Sequence, residues 1–200
     1  FAWIERYIYR NADGIFGQSE EIIRHVNQFP STKNKFVYRN LQQYAVAAQP
    51  KRKHTPFRIV YAGLLGVAQD IYSIIENIPF QSIGAEFHLY GGGNQAEKIK
   101  EYINKNPGCF VYYHGYVKKE QIAEELSRYD ASIVPLTVAI KGAVPSKIYD
   151  LIPIGIPILF CGGGEGAEIV SKYYFGMVSK PHDFKQLHNN IIELLSLIHI

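Results

Sequence analysis

The sequence has little of what small proteins use in place of a core. Its 200 residues include two cysteines, Cys109 and Cys161, at no metal-binding or redox spacing. That excludes a disulfide framework and a zinc module, and it reads as reduced thiols in a cytoplasmic protein. A chain this long buries roughly 70 % of the surface its unfolded form exposes, so it needs neither. Long apolar runs are also missing. The most apolar stretch, Leu151 to Cys161, is interrupted by Pro153, Gly155 and Pro157, whereas crossing a bilayer takes about 20 residues. The opening FAWIERYIYR carries Glu5, Arg6 and Arg10 where a signal peptide needs an unbroken apolar segment. The chain starts at Phe1 rather than Met, so a fragment of a longer protein is expected, with room for one domain and part of another.

A strong excess of one charge is absent from the whole and present in a part. The net charge is +3, but residues 1–56 hold nine Lys or Arg against four Asp or Glu, and residues 57–200 hold twelve against fourteen. A basic first segment suits an anionic membrane or ligand, and it equally suits a solvated linker around Lys51, Arg52 and Lys53. No basic cluster is interleaved with aromatics in a nucleic-acid-binding motif, so nucleic acid is not an expected partner.

From Phe57 onward, short β-branched runs alternate with stretches of helical period. Strands are read at 57–63, 85–91, 109–115, 131–136 and 156–162, and helices at 68–77, 95–104, 118–129, 146–155 and 165–172. Repeated strand, loop and helix imply a Rossmann-like α/β fold, a parallel sheet with helices on both faces. Runs such as IPILF, which do not alternate with polar residues, suit strands covered on both sides. The first 45 residues read as αβαβ, residues 46–56 as a linker, and 183–200 as an amphipathic helix with Phe184, Leu187, Ile191, Leu194 and Leu195 on one face.

In open parallel sheets ligands bind beyond the carboxyl ends of the strands. Five loops there draw notice. Gly63-Leu64-Leu65-Gly66 would let the backbone approach a phosphate, although a tight strand-to-helix turn wants glycine on steric grounds alone. Gly91-Gly92-Gly93-Asn94-Gln95-Ala96 contains G-x-G-x-x-A, but the next strand ends in His114-Gly115 where a dinucleotide site wants an acid. Tyr116 and Val117 follow, a wall that could frame a base. Pro145 and Ser146 suit a helix start, and Lys147 in that first turn faces the positive end of the helix dipole, which costs about 0.3–1 kcal/mol without an anion nearby. Asp150 lies one turn further, placed to accept from ribose hydroxyls; the plainer account is a surface pair with Lys147. Glu165 and Glu168 open the last helix, where acids are favoured on dipole grounds alone.

Taken in order, AGLLG, LYGGG, YYHGYVKKEQI, RYDASIVP, PSKIYDLIPIGIPIL, CGGGEGAEIV and FGMVSKPHDFKQL resemble the nucleotide-sugar-binding half of a GT-B fold glycosyltransferase of the family 4 type. The nearest group is the bacterial capsule and O-antigen transferases, N-acetyl-L-fucosamine transferases among them. NADGIFGQS at 11–19 and FVYRN at 36–40 resemble the end of such an enzyme's acceptor-binding half. The resemblance implies retaining transfer, without metal or cofactor, from a nucleoside diphosphate sugar, most simply a UDP-N-acetylhexosamine or deoxy derivative, to a lipid-linked saccharide. That transfer would occur at the cytoplasmic membrane face, with peripheral membrane association. It makes Lys147 the group neutralising the leaving diphosphate, and it makes Gly63, Gly66, Gly92, Tyr116, Val117, Ser146, Lys147, Asp150 and Glu168 the donor-binding set. Three departures stand out: Asp150 where the family more often has Glu, Gly142 where many members place a sugar-binding Glu, and Val67-Ala68-Gln69 where a basic pair is common. A UDP-sugar epimerase of the same architecture, a non-catalytic nucleotide-binding module and, last, an NAD-dependent reductase are the competing readings. The expected division is 1–45 as remnant of the acceptor half, 46–56 as linker, 57–182 as nucleotide-sugar domain and 183–200 as closing helix.

Overall fold

The structure, a computed structural model, describes residues 2–29, 34–41, 55–138 and 140–198. Most of the linker read at 46–56 lies outside them. The N-terminal unit runs α1 (Ala2–Asn11), β1 (Gly14–Gly17), α2 (Glu20–Val26) and β2 (Asn34–Val37), with β1 and β2 paired in parallel. α2 starts where it does because Ser19 is extended and its Oγ accepts the Ile22 amide at 3.1 Å, a cap contributing about 1 kcal/mol.

The larger unit follows: β3 (Phe57–Ala62), α3 (Ile71–Asn77), β4 (Ala85–Tyr90), α4 (Ala96–Lys105), β5 (Val111–Gly115), α5 (Ile122–Leu126), β6 (Ala131–Pro135), α6 (Ser146–Leu151), β7 (Ile158–Cys161), α7 (Gly164–Lys172), β8 (Gly176–Ser179) and α8 (Phe184–Ile198). The six strands form one parallel sheet in the order β5-β4-β3-β6-β7-β8. The chain first builds outward from β3 to β5, then returns to the other side of β3 and builds outward again. The direction therefore reverses between β3 and β6, and a crevice opens at their carboxyl ends.

Period-two alternation within the strands makes two cores. Phe57, Ile59 and Tyr61 of β3 pack with α3, α4 and α8 through Ile74, Ile99 and Ile191. Val60 and, on β6 and β7, Val134 and Phe160 pack with α5, α6 and α7 through Leu126, Ile148 and Val170. Covered on both faces, the central strands carry nearly continuous apolar sequence.

Four elements differ from the sequence reading. The helix read over 146–155 is α6, ending at Leu151, followed by a 3-10 turn at Ile152–Ile154. The helix read over 118–129 is a 3-10 turn at Lys119–Gln121 followed by a short α5. α3 begins at Ile71 rather than 68, because Gly66 accepts the amides of Gln69 and Asp70 in a turn and Asp70 is left-handed at φ 44°. β8 has no counterpart in the sequence reading. It is a four-residue, half-buried edge strand entered at Gly176, where a Cβ would overlap the Ile158 carbonyl.

Candidate functional site

The glycine loops beyond β3, β4 and β5 are joined by main-chain hydrogen bonds. Gly63 N donates to Tyr90 O at 2.9 Å, Leu65 N to Gly92 O at 2.8 Å and Gly91 N to Gly115 O at 2.6 Å. Backbones this close leave no room for side chains: a Cβ on Gly91 would overlap the Gly63 carbonyl, and one on Gly93 the Leu65 carbonyl. The loops form the rim of a cleft of about 400 Å³. Its lining is Ala62, Gly63, Leu64, Tyr90, Gly91, Gly92, Tyr116, Val117, Ile122, Leu126, Ser132, Lys147, Asp150, Leu151 and Ile154.

Lys147 enters from α6. Ile148 and Tyr149 are buried on the other side of that helix, while Lys147, Asp150 and Leu151, spaced three and four residues apart, share the face that lines the cleft. The Lys147 Nζ and Cε occupy the space a Cβ on Gly63 would need. Nζ also lies 5.8 Å from the centre of the Tyr61 ring. Tyr61 is fully buried and donates its hydroxyl to the Leu64 carbonyl at 2.6 Å, so one side chain supports both the first glycine loop and the lysine. Burial pushes the Lys147 amine below the usual lysine range, and the charge of Asp150 only partly opposes that.

Tyr116 is 83 % exposed, and its hydroxyl stands where a Cβ on Gly92 would be. Tyr90 forms a side wall. It donates to Glu125 at 2.6 Å, shares a 2.8 Å hydrogen bond with Tyr129, and stacks on His114 with ring centres 4.7 Å apart. Ser132 closes the floor, its Oγ donating to the Val60 carbonyl at 3.1 Å. The inner wall of Ile122, Leu126, Leu151 and Ile154 is apolar. A flat ring, a polar sugar and an anionic end could thus be met by the inner apolar wall, Asp150 and Lys147 respectively.

Of the residues singled out in the sequence, Gly63, Gly92, Tyr116, Val117, Lys147 and Asp150 come together in this lining. Gly66, Ser146 and Glu168 stand outside it: Gly66 forms the turn before α3, and Ser146 and Glu168 are exposed. Tyr90, Ile122, Leu126, Ser132 and Ile154 are added by the structure. Tyr90, the last residue before the GGG loop, carried a readable signal; the others look like ordinary core positions until helix and sheet part at the cleft. Gly142 is explained sterically. It has φ +74°, donates its amide to Glu21 Oε2 at 2.6 Å, and a Cβ there would sit 2.7 Å from the Ile22 side chain. Among the described residues, no group of three or more His, Cys, Asp or Glu could hold a metal ion, and no helix is long and apolar enough to cross a membrane.

The sequence profile of the glycosyl transferases group 1 matches residues 56–197. No curated protein matches the sequence. Among solved structures, a point mutant of S. aureus TarM, in complex with fondaparinux, α-GlcNAc-glycerol and UDP, superposes with a TM-score of 0.71 at 22 % identity, over 96 % of this chain and 39 % of that one. WaaG, a glycosyltransferase involved in lipopolysaccharide biosynthesis, gives 0.72 at 14 % identity, over 98 % and 57 %. The pneumococcal O-GlcNAc transferase GtfA, in complex with UDP and GlcNAc, gives 0.64 at 18 %, over 96 % and 40 %. This chain therefore spans about two fifths to somewhat over half of these proteins. At such identities the likeness is one of fold, and the six-stranded parallel sheet matches one Rossmann-like half of the GT-B architecture. With the profile match extending over most of its length, this chain belongs to the group 1 glycosyl transferases.

Proposed function

We propose that residues 57–182 bind the nucleotide sugar for a glycosyltransferase that moves a sugar from a nucleoside diphosphate to a lipid-linked saccharide, a capsule or O-antigen precursor. Residues 183–200 close the domain and residues 1–45 end the acceptor-binding half. The observation that carries the reading is Lys147, a half-buried ammonium in a cleft built of main-chain amides and glycines. Asp150 does not offset its burial, since the pKa stays lowered. A diphosphate would, and it would also meet the first turn of α6.

As the bond between the anomeric carbon and the diphosphate oxygen breaks, negative charge collects on the leaving group. Lys147 stabilises it, an electrostatic contribution of about 2.7–4 kcal/mol for a well-placed donor. Asp150 accepts from the ribose hydroxyls, and Tyr116 and Val117 frame the base against the apolar inner wall. The reaction proceeds with retention and without a metal ion, at the cytoplasmic face of the membrane. UDP in the TarM and GtfA structures and the lipopolysaccharide role of WaaG support a UDP-N-acetylhexosamine or deoxy-sugar donor and a lipid-linked acceptor.

Calorimetric titration with UDP, GDP, UDP-N-acetylhexosamines, uridine and NAD tests the reading. UDP is expected to bind, Lys147→Ala to weaken it roughly tenfold or more with uridine unaffected, and Asp150→Ala to weaken both. Tight NAD binding, or indifference of UDP to both substitutions, would sink it.

A further inference from the structure

Two carboxylates outside the cleft join the N-terminal unit to the larger one, Glu165 at α7 and Glu21 at the loop in front of α6. Glu165, in the first turn of α7, is 7 % exposed and still has three donors. The amides of Glu20 and Glu21 reach its two oxygens at 3.0 and 3.2 Å, and the Arg39 guanidinium pairs with it while also donating to the Gln18 carbonyl at 2.9 Å. A helix leaves the amides of its first turn without intrahelical partners. Here Glu165 takes two of them and Ser19 Oγ takes that of Ile22, so the start of α2 is fixed by a side chain from the other unit. Burial raises the Glu165 pKa, but the Glu20 amide, Arg39 and the Glu21 amide outweigh it and hold the carboxyl below its ordinary range.

The same turn of α2 reaches the loop between β6 and α6. Glu21 Oε2 accepts the Gly142 amide at 2.6 Å, and Ile22 fills the space beside Gly142. Beyond Gly142 the chain turns, with Ala143 N donating to Ile140 O at 3.0 Å, and passes directly into Ser146 and Lys147. The later residues of α6 are anchored by their own burial through Ile148, Tyr149 and Leu151. Lys147, in the first turn, is the part of that helix that depends on how the loop arrives.

We propose that Glu165 and Glu21 are positioning residues for Lys147: Glu165 fixes the first turn of α2, α2 presents Glu21 to the Gly142 amide, and the loop held in this way sets the lysine in the cleft. Neither carboxylate touches the ligand. The inference rests on Lys147 meeting a diphosphate, and it makes the contact between the two units a determinant of phosphate affinity rather than of nucleoside affinity.

The test is calorimetry on the 200-residue chain with UDP and with uridine, with Lys147→Ala as reference. Glu21→Ala is expected to weaken UDP about fivefold, the size of one lost hydrogen bond, and to leave uridine unchanged. Glu21→Gln, whose amide oxygen still accepts from Gly142, should recover most of the affinity. Glu165→Gln should also weaken UDP, and combining it with Glu21→Ala should add little, because both act through one contact. Should Glu165→Gln prove too unstable to purify, Glu21→Ala decides, since it leaves Glu165 with all its partners. Equal loss of UDP and uridine marks a merely structural contact and overturns the proposal. So does UDP binding that ignores Glu21→Ala while Lys147→Ala still weakens it, an outcome that leaves the reading of Lys147 intact. If Lys147→Ala itself has no effect, that reading fails and the proposal fails with it.

Discussion

Gly63 and Lys147 claim one volume. The lysine amine stands where a Cβ at 63 would be, and Gly63 holds φ +155°, a conformation that strains any other residue by about 1–3 kcal/mol. Gly63→Ala is therefore expected to lower the urea midpoint and to abolish measurable UDP binding, because the lysine must leave the cleft floor. Wild-type UDP affinity in that variant would show that the lysine's position does not matter. The pH dependence of binding follows from the same residue. The free protein holds Lys147 below the ordinary lysine value of 10.5 through burial, against the opposing charge of Asp150, and a bound diphosphate raises it again. The complex then carries more protons than the free protein in the interval between the two pKa values. UDP affinity must fall as pH rises through the free-state value, which lies below 10.5, and Lys147→Ala must flatten that profile. Titrations between about pH 7 and pH 10 decide this. From the sequence, Lys147 stood out because a cation at a helix start is unfavourable in isolation; Tyr61 beneath it did not, since a tyrosine in a strand looks like core whether or not it carries a loop on its hydroxyl.

At the scale of elements, β4 and β5 carry a row of titratable side chains on one face. His88 Nδ1 and His114 Nε2 are 2.9 Å apart, His88 Nε2 is 3.2 Å from Glu86, Tyr112 stacks on His88 and Tyr90 on His114, and the Tyr129 ring lies tilted against His88. Burial lowers both histidines, against the partial opposition of Glu86 at His88 and of Glu125 at His114. Their folded pKa values lie below the unfolded 6.5, so below that pH the unfolded chain binds more protons than the folded one. Stability is retained above about pH 6.5 and is lost as pH falls through it toward the folded values. Urea denaturation at about pH 8 and about pH 5.5 should give a lower midpoint at the acid value, and His88→Gln should narrow the gap; an identical gap in the variant would remove His88 from the account. The elements read least well in the sequence share a physical cause. α5 and β8 are short, and their packing is non-local: Gly176 lies against β7, and Leu126 of α5 packs in one cluster with Tyr90 and Tyr129. The central strands needed no such help, because burial on both faces writes itself into a nearly continuous apolar run.

At the scale of the whole molecule, the larger unit is a sheet with two cores, one closed by α8. Ile191 is fully buried there with Leu187 and Leu194, so Ile191→Ala should cost about 2–5 kcal/mol, read as a cooperative loss of chemical stability for the whole sheet. A cost under about 0.5 kcal/mol would mean that α8 docks without contributing to the core. The cleft is formed by this unit alone, while the loop that delivers Lys147 meets the N-terminal unit at Glu21, on a helix start whose amides Glu165 of α7 accepts. This chain by itself is expected to bind the donor nucleotide without transferring sugar to an acceptor, and turnover in an acceptor assay with the isolated chain would refute that.

The sequence by itself determined the parallel α/β sheet, the order of its central elements and the glycine loops at its carboxyl end. All of these follow from local rules: strand and helix periodicity, burial on both faces, and backbone conformations that only glycine adopts easily. It also marked Lys147, because a cation in the first turn of a helix is itself a local oddity, and Asp150 one turn further along the same helix. Only the tertiary structure decided which of the marked residues meet in one cleft, leaving Gly66, Ser146 and Glu168 outside it. Only the tertiary structure, too, gave Glu165 its partners. The reason is separation along the chain: Glu165 meets amides 145 and 144 residues away, a contact that no period, cap or turn rule encodes, since it exists only when the starts of α2 and α7 are brought together.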